Sequence, residues 1–158
     1  MLRDVAQGIA DFISEDKILH RDGDVTVVVE DKSDIGTEIA NALGQLGVCV
    51  LVAVTGFRRV DGLAIPQGAI QFQISCFENP ILNREDLSTL TAQGVMERIV
   101  TILHYKKFPF ILGQVIFQDF ARDDVDEANI VRGNFEAHTT LNFSEEYFCE
   151  LRKHNINN

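Results

Sequence analysis

Apolar residues recur at the spacing of an amphipathic helix in three segments of the chain. The first is centred near Ile9, and the third, centred near Ile99, is predicted to run from about Ser88 to Lys106. The second is the clearest, because capping residues at 31–34 precede its stripe and a glycine follows it. That stripe consists of Ile35, Ile39, Ala42, Leu43 and Leu46.

Five other segments have the composition and alternation of β-strands. Residues 25–29 form a compact β-branched run, and residues 48–57 are apolar on both faces, which predicts an interior strand. Residues 69–77 and 130–143 alternate between apolar and polar side chains. Residues 110–120 complete the set, so the chain carries more strand signals than helix signals.

The order of these elements is α-β-α-β-β-α-β-β, and strands that follow one another without a helix between them form antiparallel pairs. We therefore expect an α+β fold, with one mixed, mainly antiparallel sheet of about five strands flanked by three helices. Residues 1–158 are expected to form a single domain, with 144–158 as a polar tail. Loops are predicted at 58–67, 78–86 and 122–129.

The charge balance argues against a protein that grips nucleic acid. Twenty-four acidic and fourteen basic residues give a formal net charge of -10. No basic cluster exceeds Arg58-Arg59 or Lys106-Lys107, whereas DNA-binding surfaces depend on grouped cations. No apolar run approaches the ~20 residues that span a bilayer, so we expect no membrane segment and a cytoplasmic location as made.

Residues that could carry chemistry are scattered. The four histidines have no partner at a metal-ligand spacing, and none of the three cysteines lies in a C-x-x-C. The segment 25–52 has the order of a nucleotide-binding unit, but an acidic turn replaces the glycine-rich loop. The acidic residues near 30–34 and 123–127 do not fit a calcium-loop pattern. We therefore predict no catalytic residue, no cofactor and no metal.

One stretch resembles a known family. The sequence QFQISCFENPILNR, followed by a helix that ends in ILHYKKF, resembles a motif of tailed-phage tail terminator and tail-completion proteins. The element order over about residues 25–143 is also similar to the fold of that family. The matching residues are Glu78, Asn79, Pro80, Asn83, Arg84, Leu103 and His104.

The resemblance implies a structural protein of a phage or prophage rather than an enzyme. Such a subunit forms a ring, typically a hexamer, that caps the tail tube and joins it to the head, with the tube protein and a head-completion protein as partners. It would assemble in the cytoplasm of the bacterial host and reside in the virion tail. An acidic lumen would let DNA pass without binding it. The alternative is a small bacterial adaptor domain that binds a protein partner through a sheet edge.

Interface residues are expected in the three predicted loops, where cations of one subunit could meet acidic groups of the next. Arg58, Arg59 and Arg84 are the candidate cations. The remaining candidates are Glu78, Asn79, Asn83, Asp123, Asp124, Asp126 and Glu127.

Overall fold

The computed structural model describes residues 2–21, 25–30, 34–60, 67–79, 91–109, 111–125 and 128–140. The helices of these ranges are α1 (Leu2–Ser14), α2 (Lys17–Arg21), α3 (Ile35–Leu46) and α4 (Ala92–Leu103). The strands are β1 (Thr26–Val29), β2 (Val48–Val60), β3 (Gln67–Glu78), β4 (Leu112–Val125) and β5 (Ala128–Thr140).

The strands form one mixed sheet in the order β1-β2-β3-β5-β4. β1 pairs with β2 in parallel, and the other three pairings are antiparallel. The predicted α+β class, with about five strands in a mainly antiparallel sheet, is thereby confirmed. The prediction that 48–57 forms an interior strand is also confirmed, because β2 has a neighbour on each side.

The two faces of the sheet bear different layers. α1 and α4 pack on one face, where the main core contains fully buried side chains such as Ile9, Ile74 and Ile99. α3 covers the other face over β1 and β2, with Ala42 and Cys49 in a smaller apolar cluster. The remainder of this second face, over β3, β5 and β4, is occupied mainly by polar side chains.

An ion pair joins α4 to the residue that precedes α2. Arg98 of α4 donates from Nε and Nη2 to the two carboxylate oxygens of Asp16, at 3.2 and 2.7 Å. Asp16 also caps α2, because its Oδ1 accepts the backbone N–H groups of Ile18 and Leu19, both at 3.1 Å. One carboxylate therefore starts a short helix and fixes it against α4.

Two β-bulges lie at the same level of the sheet. The pairing register runs Val54–Phe72–Phe135–Phe117 across β2, β3, β5 and β4. The register shifts directly after Val54 in β2 and directly after Phe117 in β4, so Thr55 and Gln118 are the extra residues. Because a bulge bends its strand and increases the local twist, we expect two bulges on the same row to bend β2 and β4, the strands on either side of β3 and β5.

Two predicted loops are wrong in part, because charged strand residues look like loop residues in a sequence. β2 continues through Arg58–Val60 and β3 begins at Gln67, so both ends of the loop predicted at 58–67 are strand, and residues 61–66 fall outside the described ranges. β4 continues through 122–125, and β5 already begins at Ala128. The predicted acidic loop is thus largely the end of a β-hairpin.

The helix bounds also differ from the prediction. The polar segment after α1 contains the short helix α2, whose Leu19 is buried in the core. α4 begins after its N-cap Thr91 and ends at Leu103 rather than near Lys106. It ends there because Tyr105 has a φ of 65°, in the left-handed region, and the following chain pairs with β4.

Candidate functional site

The part of the second sheet face that α3 leaves uncovered is the candidate site, and we call it the polar face. Its side chains come from four strands and alternate with core residues, so the strands themselves set their direction. They include Arg58 of β2, Gln71 and Gln73 of β3, Asp119, Ala121 and Asp123 of β4, and Arg132, Asn134, Glu136 and His138 of β5. Ile116 of β4, which pairs with Glu136, is an exposed apolar residue on the same face.

Hydrogen bonds cross the polar face from strand to strand. Gln73 Nε2 donates to Asn134 Oδ1 at 3.0 Å, and Asn134 Nδ2 donates to Asp119 Oδ1 at 2.6 Å. One row further along, Arg132 of β5 forms an ion pair with Asp123 of β4. Such cross-strand pairs hold β3, β5 and β4 in register. The polar side chains named in this half of the face therefore have partners within the same chain.

The other half of the polar face is less tightly paired. The Glu136 carboxylate lies 3.8 Å from Arg58 Nη2 and 3.5 Å from His138 Nε2. The Arg58 side chain is 69% exposed, whereas that of Glu136 is only 20% exposed. Exposed ion pairs at these separations contribute little to stability, so Arg58 can exchange its partner at small cost.

A shallow polar pocket of about 270 Å³ lies between the two bulges. The extra residues Thr55 and Gln118 stand on opposite sides of it, and Gln71, Asn134 and Glu136 also line it. Bulges often redirect side chains at functional sites. The pocket thus presents amide, hydroxyl and carboxylate groups, which suit a polar contact with another protein surface.

A second concave surface lies on the opposite face of the sheet, at its β4 edge. This α4–β4 groove, of about 290 Å³, has an apolar floor of Met96, Val100, Phe117 and Val131. Gln93, Glu97 and Thr101 of α4 form its rim. Phe120 also lines the groove and is 61% exposed, an unusual position for a phenyl ring.

A glycine allows α4 to lie this close to the sheet. A Cβ at Gly133 would lie 2.8 Å from Met96 Sδ and 3.0 Å from Phe135 Cε2, both closer than atoms approach without displacement. The lack of a side chain at Gly133 therefore lets Met96 reach the sheet and form the groove floor.

The outer side of β4 is partly covered. Tyr105 N–H donates to Val115 O at 2.8 Å, and Val115 N–H donates to Lys106 O at 2.9 Å. His104 Nδ1 accepts the Phe117 N–H at 3.0 Å. Beyond Phe117, no strand in the described ranges pairs with the outer side of β4, which is the last strand of the sheet.

Two of the predicted interface residues have structural roles inside the subunit. Glu78 ends β3 and is buried, and its Oε2 accepts the N–H of Ala92, the first residue of α4, at 3.0 Å. Asn79 N–H donates to Gly47 O at 2.7 Å. The expectation that Glu78 lies on a surface loop is therefore corrected: its carboxylate faces the amino end of α4, where negative charge is favourable.

Removing the Glu78 carboxylate should destabilise the fold through α4. We expect Glu78→Ala to lower the free energy of unfolding by about 1–2 kcal/mol, because a buried N–H at the start of α4 loses its acceptor. Glu78→Gln, which keeps an acceptor oxygen, should retain most of the stability. Chemical denaturation measures both, with the exposed Glu97→Ala as a control on α4. Equal losses for alanine and glutamine would contradict this role.

The other predicted interface residues are distributed as follows. Arg58 and Asp123 lie on the polar face, but Asp123 is paired with Arg132 of its own chain. Arg59 and Asp124 occupy positions in β2 and β4, and their side chains fall outside the described set. Asn83, Arg84, Asp126 and Glu127 lie outside the described residues.

Sequence reasoning missed the residues that partner these charges. Arg132 and Asn134 connect β5 to its neighbours, and Glu136 reaches Arg58 of β2, yet none of the three is a predicted site residue. The alternation of 130–143 does place them on one face, and that was the available signal. The sequence pattern did not predict the α4–β4 groove. The bulge at Gln118 reverses which of the following β4 residues face α4, and a simple alternation does not show this.

Two cysteines lie in the apolar layers. Burial raises the pKa of the Cys49 thiol to about 11, with a further contribution from Glu38, and burial likewise raises the pKa of Cys76. Within the described ranges, no group of three or more His, Cys, Asp or Glu side chains could hold a metal ion. No described helix is long and apolar enough to cross a membrane.

No family model and no curated protein matches this chain. Among solved structures, it is similar to a chain of the virion of a native gene transfer agent (GTA) particle. The two share a fold. The match covers 84% of this chain and 92% of that chain, with a TM-score of 0.62 and 12% sequence identity. The likeness therefore extends over most of both chains rather than over one supersecondary unit.

Proposed function

We propose that this protein is a structural subunit of a phage-like particle, and not an enzyme. The observation that carries the proposal is the fold that it shares with a chain of a gene transfer agent virion, over nearly the whole length of that chain. Since one fold can serve several functions, the likeness supports this class of role rather than a particular position in the particle.

Within such a particle, we propose the role of tail terminator. The resemblance of Glu78–Arg84 and Leu103-His104 to tail terminator and tail-completion proteins supports this assignment. The subunit would form a ring, a hexamer in the simplest case, that caps the tail tube and joins it to the head. Its partners would then be further copies of itself, the tube protein and a head-completion protein. It would assemble in the host cytoplasm and remain in the virion.

A ring of identical subunits needs two different surfaces on each subunit, because its interfaces are heterologous. The polar face and the α4–β4 groove are two such surfaces, on opposite faces of the sheet. On the polar face, Arg58 is the candidate for an ion pair with a neighbouring subunit. Its contact with Glu136 is long and its side chain is largely exposed. Because each chain carries a formal net charge of -10, the ring would not retain DNA that passes through it.

The solution mass of the full-length protein tests this proposal. Sedimentation at several protein and salt concentrations should show a closed oligomer, which electron microscopy should resolve as a ring. The oligomer should loosen at high salt if ion pairs such as that of Arg58 join subunits, because salt screens exposed charges beyond about 8–10 Å. A monomer at every concentration, both alone and with the tube protein, would reject the ring.

One observation favours a second candidate, an adaptor that binds a protein partner through a sheet edge. The outer side of β4 beyond Phe117 pairs with no other strand in the described part of the chain. An extended peptide could add to the sheet there. A stable monomer that captures peptides at this edge would favour the adaptor over the ring.

A further inference from the structure

We propose that the α4–β4 groove of one subunit binds the C-terminal segment, residues 141–158, of a neighbouring copy of the chain. This inference rests on the proposed function in one respect, namely that the protein associates with itself. It adds what the fold likeness does not provide: which surface receives the neighbour, and which part of the neighbour occupies it.

The groove has the properties of a surface that is covered in the working state. Its floor is formed by apolar side chains, and Phe120 stands beside it with 61% of its surface exposed. An open apolar groove next to a strand edge that no described strand covers is a liability for an isolated protein. A partner with a short apolar stripe would remove that exposure.

The C-terminal segment carries such a stripe. Phe143, Tyr147 and Leu151 follow one another at intervals of four residues, and Phe148 adjoins them. Four large apolar side chains thus fall within nine residues of a segment that is otherwise largely polar. Opposite charges also match at one end, because Glu97 is exposed on the groove rim and Arg152 and Lys153 directly follow the stripe.

The direction of β5 favours a neighbouring subunit over the same chain. Val131, in the groove floor, lies near the start of β5, and the strand ends at Thr140. The nine residue steps between them correspond to about 30 Å at about 3.3 Å per residue. Phe143 follows Thr140 by only three residues, a reach of about 10 Å, so it cannot return to Val131 of its own chain. A neighbouring copy can present its groove to Phe143, and repetition of this contact generates a head-to-tail ring.

The native cysteine at position 149 allows a direct test in the full-length chain. Cys149 lies between Phe148 and Leu151 in the sequence, and Thr101→Cys would place a second thiol on the groove rim. Thr101 is exposed, and its hydroxyl bonds only to Glu97 O of its own helix, at 2.8 Å, so the change should be tolerated. Cys49 and Cys76 are buried and should not compete.

Mild oxidation, or a flexible bis-maleimide, should convert the Thr101→Cys protein into covalent dimers and a ladder of larger species. The ladder should disappear in Thr101→Cys combined with Cys149→Ser. Gln71→Cys, an equally exposed position on the polar face, should give none. Phe120→Asp added to Thr101→Cys should lower the crosslink yield by about tenfold or more, without a change in melting temperature, because it places a charge against the groove floor.

The outcomes separate this inference from the proposed function. An oligomer by sedimentation that gives no ladder with either reagent would overturn the docking of the segment and leave the ring in place. A crosslink confined to single chains would also overturn the docking between neighbours. A protein that is monomeric under all conditions and forms no ladder would overturn both proposals.

Discussion

Phe135→Ala should lower the free energy of unfolding by about 3–5 kcal/mol, the largest effect that we expect from a single substitution in this protein. The Phe135 side chain is 1% exposed and stacks on Phe72, with ring centroids 5.3 Å apart and planes 8° from parallel. Phe117 meets the same ring from β4, also at 5.3 Å. The alanine would therefore leave a cavity in the row that joins β3, β5 and β4.

Denaturant titration of the purified variant measures this loss, and Phe120→Ala is the matched control. Phe120 is also a phenylalanine, it lies only three residues beyond Phe117 in β4, and it is 61% exposed. Phe120→Ala should lower the free energy of unfolding by well under 1 kcal/mol. Similar losses for the two variants would show that the aromatic row is not the centre of the core.

Asp16→Ala should cost about 2–3 kcal/mol, because it removes the cap of α2 and the ion pair with α4 together. The Asp16 side chain is 10% exposed, and that of its partner Arg98 is 31% exposed. Arg98→Ala should cost less than Asp16→Ala, because α2 keeps its cap in that variant. The double variant should lose less stability than the sum of the two single losses. The difference measures the coupling energy of the ion pair.

The contribution of Asp16 should depend on pH. The hydrogen bonds from Arg98 hold the pKa of the Asp16 carboxyl below its usual value near 4, and those from the α2 backbone act in the same direction. A carboxyl with a lowered pKa in the folded state adds stability above its unfolded pKa, and loses it as the pH falls through the folded value. The difference between the native protein and Asp16→Asn should therefore shrink below about pH 4. Thr101→Ser, at an exposed position without a titratable group, should show no such trend.

Most of the element order could be predicted from the sequence, because it depends on local periodicity. The stripe of α3 and the alternation of β5 lie within single elements, and each was assigned correctly. The ends of β2 and β4 were not, since Arg58 and Asp123 are charged and charge usually indicates a loop. In the structure these side chains pair across strands, and such pairing cannot be deduced from one strand alone.

The candidate site was less predictable for the same physical reason. Glu136 approaches Arg58 only because β5 lies beside β3 and β3 beside β2, a register set by residues far apart in the chain. Charge identified Arg58 as a candidate, but its partner could not be chosen among the 24 acidic residues. For Glu78 the error was of another kind. The turn-like motif that it begins indicated a surface loop, whereas its buried carboxylate accepts the first N–H of α4.

The two bulges also constrain how the length of this chain can change. Before Gln118, odd-numbered residues of β4 such as Val115 and Phe117 face the main core side, and after it even-numbered residues such as Phe120 do. Loss of the single residue Gln118 would remove the bulge and leave Asp119 on the polar face and Phe120 on the groove side, since the regular alternation of a strand would then continue directly from Phe117. Related chains can therefore gain or lose one residue at the bulge, whereas a change of one residue elsewhere in the strand would exchange the groove side with the polar side for every residue after it.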